Sequence, residues 1–194
     1  MGDYDPFERG KGYKNPNFEC GYRSEIFSGR ELSRITKPLD DVLYRNGNKE
    51  DLFQLQELFV ESILNVCSND YTEEQLKKWT LGSRDGKRWQ EIISQQLVII
   101  AEYNQTIIGF GTLDPQNCID LLYVSSKHLR LGIAKQIYLR LEKDAKERKV
   151  KKLISHVSIT AKPFFESLGF VLLRENVIKR DDVELTNYTF EKIL

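Results

Sequence analysis

Apolar positions recur along the chain with two different periods, and the switches between them set out the elements. A spacing of three or four holds at Leu52, Leu55, Phe59, Ile63 and Val66. It returns at Ile133, Ile137, Leu141 and Ala145, with Ala134 and Tyr138 widening that stripe. Both patterns predict helices with one buried face. Apolar runs, several rich in β-branched residues, predict strands at Val42 to Arg45, 96–103, 106–113, Cys118 to Val124, Leu153 to Ser158, Phe170 to Glu175 and Val183 to Ile193. Polar punctuation agrees with this division. Asn48 with Asp51, and Thr72 with Gln75, have the spacing of helix caps, and the helix after Thr72 carries Leu76 and Trp79. GSRDG at 82–86 predicts a turn, and Asn104-Gln105 predicts the bend of a hairpin. A short helix from Lys162 to Leu168 should end at Gly169, and a charged turn at Lys179 to Asp182 should join the last two strands. The expected order is strand, two helices, three strands, helix, strand, helix, two strands.

The stretch Asp120 to Lys135, DLLYVSSKHLRLGIAK, passes from strand through a polar loop into a helix expected from Leu129–Ala134 to about Arg148. Gly132 has no Cβ and Ala134 only a methyl group, so a ligand can approach the backbone closely. The first amides of a helix have no partner within it, and the dipole behind them favours phosphate.

This stretch resembles the acyl-CoA-binding signature of the GCN5-related N-acetyltransferases (GNAT family): Arg or Gln, two residues, Gly, one residue, then Gly or Ala, after a strand written like LYV. The pattern falls on Leu129, Gly132 and Ala134, with an apolar residue at the first position. AKPFFESLGF at 161–170 is similar to a second family segment, and the order of elements is similar from Val42 to Leu194. The resemblance implies an α+β chain with the GNAT (acyl-CoA N-acyltransferase) fold, a mixed, mostly antiparallel twisted sheet flanked by helices on both faces. It also implies direct transfer of an acetyl group from acetyl-CoA to an amine of a small molecule or peptide. The alternative is a GNAT-fold acyl-CoA-binding or protein-interaction module with little transfer.

Residue by residue, the resemblance gives the cofactor Leu122, Tyr123 and Val124 on the strand, then Leu129, Arg130, Leu131, Gly132, Ile133, Ala134 and Lys135 at the loop and helix start, and Ser158 and Phe165 beyond. A main-chain amide near Tyr123 or Val124 should face the thioester carbonyl. Phe165 stands where the family commonly has the tyrosine that protonates the thiolate, and Ser158 stands where it often has Asn. Tyr123 is the substitute acid. Asp120 is the candidate base or amine anchor; strand alternation puts it on the face of Leu122 and Val124, and its structural alternative is an ion pair with a lysine. His156 is a second candidate base, because imidazole titrates near neutrality. Tyr71, Trp79 and Trp89 should border the acceptor groove.

Composition narrows the field. With 29 basic and 29 acidic residues among 194, the chain lacks the excess of Lys and Arg that nucleic acid or an anionic membrane requires. Three scattered Cys and two His give no pattern for a disulfide framework or a metal site, and no GxxxxGK followed by Ser or Thr is present. The runs of apolar residues are too short to span a bilayer and the start lacks a signal-peptide pattern, so a cytoplasmic setting is expected. KDAKERKVKK at 143–152 interleaves acids with its bases and predicts a solvated helix face. Residues 1–41, rich in Gly, Asn and aromatics, form an N-terminal extension before a domain at 42–194. The aromatics Tyr4, Phe7, Tyr13, Phe18, Tyr22 and Phe27 predict that it wraps the domain or meets a second subunit in a homodimer.

Overall fold

Each predicted cap is present and starts an element. In the computed structural model, which describes residues 41–194, Asn48 and Asp51 cap a short 3₁₀ turn that runs into α1 (Leu52–Val66). Thr72 and Gln75 form the capping box of α2 (Glu73–Thr80). The aromatic extension and its expected subunit contact lie outside the described residues.

The segment read as a turn at 82–86 contains more structure than that. A 3₁₀ turn at Leu81–Arg84 leads into a further helix, α3 (Gly86–Gln95), whose first turn is capped by the Asp85 carboxylate accepting from the Arg88 N–H at 3.0 Å. Gly86 at its first position hides the helix from a turn-based reading, yet Trp89 and Ile92 are buried at helical spacing.

The strands are β1 (Leu43–Asn46), β2 (Leu97–Tyr103), β3 (Thr106–Leu113), β4 (Cys118–Val124), β5 (Lys152–Ser158), β6 (Val171–Arg180) and β7 (Val183–Ile193). Asn104 and Gln105 both have positive φ, 48° and 60°, the type I′ geometry whose twist suits the β2–β3 hairpin. The long helix α4 (Ile133–Glu147) and the short α5 (Lys162–Ser167) flank β5 in sequence. β6 runs to Arg180 rather than stopping at Glu175, so the charged turn contracts to Asp181 and Asp182. The expected solvated face is present too: Lys143–Glu147 and Arg148–Asp144 pair one helical turn apart.

All seven strands form one sheet in the order β1-β2-β3-β4-β5-β7-β6, and only the β4–β5 pairing is parallel. One face packs Leu55, Phe59, Ile63, Leu76 and Trp89 of α1–α3 against Phe110 and Leu121. The other packs Ile133, Ile137 and Leu141 of α4 and Phe165 of α5 against Ile108, Val124 and Phe190. This is the mixed, mostly antiparallel sheet with helices on both faces that the resemblance implies. Among the described residues, no helix is long and apolar enough to cross a membrane.

Two glycines of β3 set the depth of α4. A Cβ on Gly109 would lie 2.9 Å from Ile133 Cγ2, and one on Gly111 would lie 2.7 Å from Ile137 Cγ2. Gly111→Val should therefore lift the helix at a cost of about 1–3 kcal/mol. A thermal melt should fall by roughly 3–10 °C; an unchanged melt would mean that α4 is not seated as described.

Candidate active site

β4 and β5 begin as neighbours and then separate. Their parallel pairing covers Cys118 with Ile154 and Ile119 with Ser155, and no pairing follows. The Ser155 hydroxyl donates to the Ile119 carbonyl at 2.9 Å, closing off the last pair. Beyond it a cleft opens, and the ladder on the other side of β4 fixes what faces into it. Ser125 N–H donates to the Ile108 carbonyl at 2.9 Å, and Tyr123 pairs with Phe110 two steps along. In an antiparallel ladder such pairs alternate, so Tyr123 uses its main chain on β3 while Leu122 and Val124 turn theirs toward the cleft. The Ser62 hydroxyl takes the Val124 carbonyl at 3.1 Å, leaving the Val124 N–H and both main-chain groups of Leu122. Of the amides of Tyr123 and Val124, it is that of Val124 that faces the cleft.

At the end of the cleft stands the start of α4. The helix begins at Ile133, within the expected Leu129–Ala134 opening, because Gly132 (φ 79°) is a left-handed N-cap and Arg130 (φ 62°) is left-handed as well. No side chain caps the helix, so the N–H groups of Ile133, Ala134 and Lys135 have no acceptor of that kind. No atom lies within 4 Å of the point a Gly132 Cβ would occupy. Leu129 is 42% exposed, Arg130 and Lys135 are exposed, and Leu131 packs inward on the α4 side. Such an open, uncapped turn fits a diphosphate.

Two cavities meet at the cleft. The narrow one, about 190 Å³, runs from Leu129 and Ala134 past Leu122 and Val124 to Phe165. The wide one, about 620 Å³, is walled by Phe59, Tyr71, Trp79 and Trp89, with Asp85 and Arg88 at its polar side. Tyr71, Trp79 and Trp89 therefore share one cavity. Phe59 packs edge-on to Trp89 at 5.6 Å and to Tyr123 at 4.9 Å between ring centres. The Tyr71 hydroxyl donates to the Thr186 carbonyl at 2.8 Å and accepts from the Ile159 N–H at 2.9 Å, and burial pushes its pKa up to about 12.

Asp120 departs from its expected face. The register runs from Leu113 opposite Ile119 to Gly111 opposite Leu122, so β4 carries one residue more than β3 over this span, and the Leu121 N–H donates to Thr112 Oγ1 at 3.1 Å inside the bulge. That extra residue breaks the alternation. Asp120 points away from Leu122 and Val124, toward α3, where its carboxylate accepts from Arg88 at 2.9 Å and from Gln96 Nε2 at 3.0 Å. The ion-pair partner is an arginine rather than a lysine, and it comes from the helix that sequence patterning missed.

The remaining predicted residues gather nearby. Tyr123 lies between Phe59 and Phe110, and burial raises its pKa so that the phenol stays protonated. Ser158 Oγ accepts from the Ala161 N–H at 3.1 Å, capping the entry to α5. Phe165 is only 3% exposed and packs edge-on to Phe170 and Phe164, at 5.1 and 5.7 Å. Sequence patterning gave no sign of Arg88, Gln96, Asn176 or Asn187 at the site; an Asp-Gly start for α3 was the one available cue to Arg88.

Comparison with known proteins agrees with this geometry. The family model described as the acetyltransferase (GNAT) domain matches residues 67–192. The uncharacterized N-acetyltransferase YafP of Escherichia coli is 29% identical over 150 residues, covering 77% of this chain and 95% of that protein. The crystal structure of the GCN5-related N-acetyltransferase "Aminotransferase, Class-II" from Rhodopseudomonas palustris has a TM-score of 0.75 at 30% identity, over 78% of this chain and 95% of that one. A more distant structure, the PaiA N-acetyltransferase of Thermoplasma acidophilum in complex with coenzyme A, shares the fold with a TM-score of 0.65 at 22% identity, over 79% of this chain and 99% of that one.

Proposed function

This chain belongs to the acetyltransferase (GNAT) family and is an acetyl-CoA-dependent N-acetyltransferase, and from that premise we propose that it acetylates the primary amine of a small molecule with a flat apolar body. The observation that carries the reading is the junction of the two cavities. One, about 190 Å³, is lined by Leu129 and Ala134 at an uncapped helix start; the other has the volume of a small-ligand pocket and aromatic walls.

In this reading the amides of Ile133, Ala134 and Lys135 hold the pyrophosphate of acetyl-CoA, with Arg130 and Lys135 adding charge. The main chain of Leu122 and Val124 pairs with the pantetheine amides as a missing strand would. The Val124 N–H faces the thioester carbonyl, where an oriented donor lowers the barrier by on the order of 3 kcal/mol. Leu129 and Phe165 line the path. Asp120 holds the acceptor's ammonium group, which competes with Arg88 for the carboxylate, and the hydroxyls of Tyr123 and Ser158 steady the acyl group beside the sulfur. Phe165 has no proton to give.

The test is release of free thiol from acetyl-CoA with a panel of primary amines, alongside acetyl-CoA binding by calorimetry. Turnover should favour arylalkylamines over lysine-containing peptides. Saturable binding without turnover on any amine would leave a binding module instead.

A further inference from the structure

Five side chains line both cavities: Trp79, Asp120, Tyr123, His156 and Ser158. A group that moves a proton between amine and sulfur has to reach both, and four of the five are committed elsewhere. The Trp79 indole is a donor with no lone pair to take a proton, and burial holds the Tyr123 phenol protonated. Asp120 is paired with Arg88 and Gln96, and Ser158 accepts from the Ala161 main chain. His156 remains.

Its ring is held from one side only. On β7, directly opposite in register, Thr189 Oγ1 lies 3.3 Å from His156 Nδ1. That hydroxyl is itself fixed: Asn176 Nδ2 donates to it at 3.0 Å and to Asn187 Oδ1 at 2.9 Å, so the amide of Asn176 is oriented by both contacts. Thr189 is buried, whereas His156 is exposed in the cleft. A ring tethered through Nδ1 is held in one orientation and keeps Nε2 for the cleft.

We propose that His156 is the catalytic base of the acetyl transfer, with Thr189, backed by Asn176 and Asn187, as its positioning residue; this rests on the acetyltransferase reading above. His156 Nδ1–H donates to Thr189 Oγ1 throughout. Nε2 removes a proton from the acceptor ammonium, freeing the nitrogen lone pair. The N–C bond forms and the C–S bond breaks, the sulfur keeping the electron pair. His156 returns its proton to that sulfur as the thiol leaves, and the second proton lost from nitrogen goes to solvent. One imidazole thereby does the work of the hydroxyl that Phe165 lacks.

Asp85, Arg88, Asp120 and Arg180 line the wide cavity with the ring, and Arg174 of β6 stands opposite Thr189 in register. From β4 come Asp120, with its Arg88 partner from α3, Tyr123, and Cys118, whose thiol burial pushes up to about 12. The β7 and β6 neighbours Thr189 and Asn176 are neutral.

The test uses the full chain with acetyl-CoA and phenethylamine. His156→Gln should lower kcat by about 10²-fold or more, abolish the acid limb of its pH profile and leave acetyl-CoA affinity unchanged. Thr189→Val should lower kcat about 2- to 10-fold without changing either KM, and Thr189→Ser should restore it. A second readout needs no acceptor. The chain has two histidines, so His156→Gln assigns the imidazole resonances by loss, and ¹⁵N couplings in the wild type should show the proton on Nδ1. Wild-type kcat in His156→Gln, or a wild-type ring protonated on Nε2, would overturn the proposal. A wild-type chain that binds no acetyl-CoA would instead overturn the acetyltransferase reading.

Discussion

Replacing Gly132 by Glu should weaken acetyl-CoA binding by about 100-fold or more, with only a small loss of stability. The residue sits at φ 79° with empty space where its side chain would project, so the fold tolerates the substitution at the cost of left-handed strain alone. That strain is about 1–2 kcal/mol, which lowers the melting temperature by roughly 2–8 °C. Binding suffers more. The new carboxylate lies beside the free N–H groups of Ile133 to Lys135, competes for them and repels a diphosphate. Two charge-assisted hydrogen bonds lost at about 1.5–3 kcal/mol each account for the factor expected. Gly132→Ala separates the terms, since it carries the same backbone strain without the charge and should keep most of the affinity. Calorimetric titration measures both, and a Gly132→Glu chain that binds as the wild type does would remove the phosphate site from this turn.

Asp120→Asn should raise KM for the amine about 10- to 100-fold, the value of one charge-assisted hydrogen bond, and leave acetyl-CoA affinity unaltered. The substitution removes the anion that faces the ammonium and leaves the Arg88 guanidinium, formerly 2.9 Å from the carboxylate, facing the same cavity. Arg88→Ala should spare KM, because the carboxylate stays. Steady-state kinetics with each variant decides the role of Asp120. A fall in kcat at constant KM would move it from binding to proton transfer and displace His156.

The order of elements was legible because the long helices and strands have clean periods, and because the turn before α1 and the start of α2 carry caps that satisfy their first amides. Asn48, Thr72 and Gly169 mark boundaries by local chemistry, which a sequence displays directly. What it hid depends on contacts distant in the chain. α3 is short and opens with Gly86, so only its buried Trp89 and Ile92 distinguish it from a loop. The bulge at Asp120 arises from pairing between β3 and β4 and from the Thr112 hydroxyl that fills it, and no alternation of apolar residues signals an extra residue in one strand. The tether on His156 joins three strands through Thr189, Asn176 and Asn187, spaced in the chain by turns and register. By contrast, the open turn before α4 was visible because Gly132 and Ala134 shape it through the absence of side-chain atoms.

Amide resonances of ¹⁵N-labelled protein, followed as acetyl-CoA is added, test the account most directly. The largest shifts should fall on Ile133, Ala134 and Lys135 and on Leu122 and Val124, the main-chain groups that face the cleft. Saturable binding that leaves these five amides unmoved would contradict it.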